Sequence, residues 1–141
     1  MHAQRSYDYA VIRVVPRVDR QEFINAGIIL WCKEGEFLEA RMELDEARLR
    51  MLDASVDLDA VRRHLASMAI ICAGGADAGP IGKLPKRERF DWLVAPRSTI
   101  IQTSAVHTGR CDDLAATVER LLDSMVRVVV PGRESREKPG S

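Results

Sequence analysis

A chain of 141 residues has the length of one ordinary domain. With 46% hydrophobic and 30% charged residues, its make-up is that of a globular protein, neither disordered nor membrane-embedded. Its 21 basic and 21 acidic residues cancel, so no long-range field draws in nucleic acid or an anionic membrane.

The opening MHAQRSYDYA lacks the apolar core of a signal peptide, and no apolar run approaches the roughly 18 residues of a membrane span. Tyr7–Val15 is rich in β-branched and aromatic residues and predicts a strand that stops at Pro16. Tyr7, Tyr9, Val11 and Val15 share one face of it, and Ala10, Ile12 and Val14 the other. With both faces apolar, this strand belongs inside a sheet. Phe23–Cys32 and Glu36–Leu44 then read as a hairpin across Lys33, Glu34 and Gly35. Asn25 and Gly27 interrupt the first run, the mark of a bulge or a close backbone approach.

From Asp45 the period becomes helical, an acidic cap leading into Ala47, Leu49, Met51 and Leu52. A second helix carries Leu58, Val61, Leu65, Met68 and Cys72 on one face, capped by Asp57 and ended by Gly74 or Gly75. The glycine-rich run from Gly74 to Arg89 reads as a long loop, a feature that is often functional. Phe90–Ala95 and Ser98–Ser104 resume strand character around Pro96. A closing helix from about Asp112 places Leu114, Val118, Leu121, Leu122, Met125 and Val126 on one stripe. The expected fold is α+β: a mainly antiparallel sheet of about five strands with two or three helices packed on one face. It forms a single domain over residues 1–130, followed by a disordered polar tail over 131–141.

Arg97–Cys111, RSTIIQTSAVHTGRC, is the stretch least like scaffold. Arg97 and Arg110 offer charged donors, and Ser98, Thr99, Thr103, Ser104 and Thr108 offer hydroxyls. HTGR leads toward a helix N-terminus, where free N–H groups favour an anion, and Gly109 lets backbone come close to it. The plain alternative is a strand running into a capped helix, with Thr108 as the cap and Asp112 and Asp113 answering the dipole. His107 beside Cys111 raises a thiol nucleophile, against which the two aspartates and the lack of a third partner weigh. Cys32, Cys72 and Cys111 are widely spaced, which fits a reduced cytoplasm and neither a disulfide framework nor a metal knuckle. His2, His64 and His107 show no ligand spacing, so no metal and no cofactor are expected. Lys83, Lys86, Arg87 and Arg89 form a basic loop ahead of Phe90 and Trp92, either a nucleic-acid contact or a solvated loop with anchoring aromatics.

Two blocks carry a family resemblance: YDYAVIRVVPRVDRQEFINAGIILWC and FDWLVAPRSTIIQTSAVHTG. The strand ending at Pro16, then Phe23, Asn25 and Gly27, and much later Trp92, Ser98, Thr99, His107, Thr108 and Gly109 resemble the bacterial "domain of unknown function 3037" (DUF3037) family. Ala105 stands where the family carries a proline before its valine–histidine pair. The resemblance brings no catalytic residues. It implies a partner, since members are encoded beside a protein similar to the HipA-type kinases. The expectation is therefore a cytoplasmic, non-enzymatic partner or regulator of such a kinase-like protein, contacting it through Lys83–Arg89 and Arg97–Arg110. The alternatives are a phosphorylated small molecule or nucleotide at Arg97–Arg110, and nucleic acid at the basic loop.

Overall fold

The computed structural model describes residues 4–128. Five strands, β1 (Arg5–Arg17), β2 (Glu22–Cys32), β3 (Phe37–Met42), β4 (Ile101–Thr103) and β5 (His107–Cys111), form one antiparallel sheet. Four α-helices pack on it: α1 (Glu46–Leu52), α2 (Leu58–Ala73), α3 (Lys86–Leu93) and α4 (Leu114–Met125). The fold is α+β, as expected. The expected tail, residues 131–141, lies outside the described residues.

The sheet order is β3-β2-β1-β4, with β5 also paired to β1. β4 lies against Ile12–Val14 and β5 against Arg5–Tyr9, so the two short strands run end to end along one side of β1. Ser104 joins them: its Oγ accepts from Val11 N at 2.9 Å and its own N–H donates to Val11 O at 2.9 Å. β1 is interior, as its two apolar faces require, but it runs through Pro16 to Arg17. Pro16 falls in a register irregularity of the β1–β2 ladder between Val14 and Arg17, so its missing N–H breaks no regular bond.

Each face of the sheet holds a core. Ala10, Ile12 and Val14 pack with Ile24, Ala26 and Ile29 beneath α1, α2 and α3. Tyr7 and Val11 pack with Ile28, Leu30 and Cys32 beneath α4. The expectation of helices on one face thus holds for three of them, while α4 closes the opposite face. The cause is already in β1, whose two apolar faces both need cover. Asn25 and Gly27 fulfil both halves of their reading. Ile12 stands opposite Gly27 but Arg13 opposite Asn25, a bulge that moves β2 residues between faces. A Cβ at Gly27 would lie 2.6 Å from the Arg41 carbonyl oxygen of β3. Asn25 Nδ2 also donates to Met125 O at the end of α4, at 2.9 Å.

Aspartates cap three helix starts: Asp45 accepts from Arg48 N, Asp57 from Ala60 N and Asp113 from Ala116 N. α2 ends at Gly74, whose φ of 77° favours glycine. Two stretches differ from their sequence reading. Gly74–Arg89 is not a loop: Ala76–Lys83 is a kinked 3-10 segment, and α3 begins at Lys86, directly after Pro85. Phe90–Ala95 is not a strand either. Arg89, Phe90 and Leu93 repeat at helical spacing and are buried together, and the Phe90 ring stacks on Trp31 with centroids 6.1 Å apart. That tertiary contact overrides the β propensity of the aromatic and branched residues.

Candidate binding site

The polar residues of Arg97–Arg110 do not gather. Arg97 wraps back on α3, donating from Nη1 to Leu93 O at 2.9 Å and from Nη2 to Trp92 O at 2.5 Å. Its guanidinium stands 4.5 Å over the Trp92 ring. Ser98 is exposed, and Thr99 Oγ1 donates to Ile101 O at 2.9 Å. Thr108 Oγ1 donates to Asp8 Oδ1 at 2.8 Å. Cross-strand partners share a face. His107 and Gly109 therefore lie with Tyr9 and Tyr7 on the α4 side, and Thr108 and Arg110 with Asp8 and Ser6 on the opposite side. Arg110 pairs at Ser6 while β4, next to Arg97 and Thr99, pairs at Ile12–Val14, roughly 20 Å farther along β1.

The anion reading of HTGR fails for a local reason as well. His107–Cys111 is a strand, the cap of α4 is Asp113 rather than Thr108, and Gly109 serves packing. A Cβ there would collide with the Tyr7 ring. His107 instead stands beside Tyr9, ring centroids 5.5 Å apart.

The thiol reading fails by distance. His107 and Cys111 sit four residues apart on one strand, about 13 Å, and Cys111 is buried under α4. All three cysteines are free and buried, and burial pushes the Cys72 thiol up to about 12 against the opposing charge of Arg89. Among the described residues no group of three or more metal-ligating side chains occurs.

The basic run also divides. Arg89 is only 7% exposed and closes the end of α2, donating to Ile71 O, Cys72 O and Leu84 O. Gly74 makes room for it, since a Cβ there would lie 2.7 Å from Arg89 Nη1. Lys83 is exposed, Lys86 Nζ donates to Glu36 O at 2.7 Å, and Arg87 pairs with Asp91. A nucleic-acid contact would have neither the loop nor Arg89. Arg87 also stands 5.1 Å from the Trp31 ring, and Lys86 and Arg87 line a hollow of about 300 Å³ with Trp31, Lys33 and Glu36.

A hollow lies between α2, α3 and β4, with a volume of about 160 Å³. Met68, Ile71, Leu93 and Ile101 form its apolar floor. His64, Ser67, Trp92, Arg97, Thr99 and Gln102 form its rim. Arg97 and Thr99 are the two sequence candidates it includes. The others were legible in part: His64, Ser67, Met68 and Ile71 follow the i, i+3, i+4, i+7 row of one helix face. What hid the site was its third wall, because Trp92 and Leu93 reach it only through the helical form of α3.

Among the described residues no single helix is long and apolar enough to cross a membrane. No curated protein matches the chain, and no solved structure does. A family model described as a protein of unknown function (DUF3037) matches residues 9–126. With most of its length under that match, the chain belongs to the DUF3037 family.

Proposed function

We propose that this protein acts by binding a protein partner in the reducing cytoplasm, without catalysis of its own. The partner is the HipA-type kinase-like protein that the family resemblance implies. The observation carrying this reading is the lip of the α2–α3–β4 hollow, where Trp92 keeps 42% of its surface exposed with Arg97 laid across its ring. Tryptophan and arginine are the residues that most often dominate binding energy at interfaces. The groups suited to chemistry support the same reading, since the thiols are buried and most candidate hydroxyls are bonded to main chain or Asp8. The test is co-purification of the tagged chain with the kinase-like protein encoded beside its gene. Association that Trp92→Ala weakens supports the reading, and no association between two soluble, intact proteins removes it.

A second reading is a phosphorylated small molecule at Trp31, Lys33, Lys86 and Arg87, where Lys33 and Lys86 add positive charge beside Glu36 and the Arg87–Asp91 pair. A ligand present at a hundred times its dissociation constant would stabilise the fold by about 2.7 kcal/mol. Thermal-shift screening against nucleotides and phosphosugars checks this, and no shift at millimolar concentrations ends it.

A further inference from the structure

We propose that the hollow between α2, α3 and β4 seats a partner segment in which a leucine-sized aliphatic side chain stands next to a carboxylate; this rests on the partner-binding reading. Size argues first. A dry apolar cavity of about 150 Å³ takes up one benzene molecule, whereas pockets for whole small ligands run from about 300 Å³ upward. This hollow, of about 160 Å³ and open to solvent, has room at its base for one aliphatic side chain. Floor chemistry argues next, because Met68, Ile71, Leu93 and Ile101 offer only apolar atoms at the base.

Charge then narrows the occupant. The lining contains Arg97 and His64 and no aspartate or glutamate. Arg97 spends two donors on Leu93 O and Trp92 O, out of the five that a guanidinium carries. Those two bonds and the Trp92 ring hold its plane fixed at the rim, so a carboxylate meets an already oriented donor set. The hydroxyls of Ser67 and Thr99 donate to His64 O and Ile101 O, which leaves the Arg97 guanidinium as the selective element of the rim.

N-acetyl-leucine and N-acetyl-leucinamide are the probes, identical except that only the first carries a carboxylate. Titrated into the intact chain and followed by amide NMR, N-acetyl-leucine is expected to shift Ser67, Trp92 and Thr103 saturably. N-acetyl-leucinamide should bind roughly tenfold more weakly or less well still. Arg97→Gln keeps an amide donor for the α3 carbonyls and should erase the difference between probes. Ser67→Trp, at an exposed helical position, should block both. Equal affinity for the two probes, or no saturable shift at these amides in the folded chain, overturns the assignment. Failure of the probes with kinase capture intact would sink this pocket alone, whereas probe binding without capture would sink the named partner and leave the pocket standing.

Discussion

Arg89 and Arg97 hold the ends of neighbouring helices in the same chemical way and finish in opposite environments. Arg89 reaches back to the last carbonyls of α2 and is buried there, with Gly74 cleared to admit it. Arg97 reaches back to the last carbonyls of α3 and stays partly exposed, its guanidinium over an exposed indole. In both, a cation answers the negative end of a helix. The difference is what lies on the other side of the guanidinium. For Arg89 it is core, so the residue is committed to the fold; for Arg97 it is an open hollow, so the cap is also surface. A basic residue in sequence therefore says little about function until its second side is known.

The comparison can be broken most directly at Arg89. Arg89→Met strips charge-assisted partners from three carbonyls at a buried position, and a loss of about 3 kcal/mol is expected from urea unfolding. If Arg97→Gln were to cost as much, the contrast would collapse; its expected cost is below about 1 kcal/mol, because its bonds are water-accessible and the amide replaces part of them. Between the two lies Asp113→Ala, which removes the side-chain acceptor at the start of α4, with an expected loss of about 1 kcal/mol by the same measurement.

The smallest effect at neutral pH concerns the exposed counterpart of these caps. Arg127 pairs with Glu43, Glu119 and Asp123, and Arg41 pairs with Glu39 and Glu119. Hydrogen bonding to Arg127, followed for Glu119 by Arg41, holds the Glu43 and Glu119 carboxyls below their ordinary value of 4.5. Because the folded values are depressed, this stabilisation is complete above the unfolded value of 4.5 and is lost as pH falls through the lowered folded values. Arg127→Gln should therefore lower the urea midpoint modestly at neutral pH, and the gap to the unaltered chain should narrow as pH falls below 4.5. A gap that persists in acid would show that Arg127 acts by packing instead.

Much of the architecture is legible without coordinates wherever one pattern dominates. The two-sided apolar character of β1, the heptad-like row of α2, the aspartate caps and the Asn25–Gly27 irregularity each have a local cause. The failures share a physical origin. Phe90–Ala95 is short, and its aromatic and branched residues favour a strand until the contact of Phe90 with Trp31 is known. The apparent site at Arg97–Arg110 looked continuous because its residues are neighbours in sequence. An extended chain separates such neighbours along the sheet and alternates them between faces, which is what happens to His107, Thr108 and Arg110. The hollow at α2 and α3 depends on three segments distant in sequence, and only its α2 wall carries a readable period.

One more consequence follows from the way β4 and β5 divide one side of β1. Strand edges that are long and straight invite other chains to add to them, and natural sheets guard against this. Here that border is two short pieces with Ser104 tucked between them, anchored to Val11. An intruding chain would find no uninterrupted template, so the same serine that completes the sheet also discourages runaway stacking of copies.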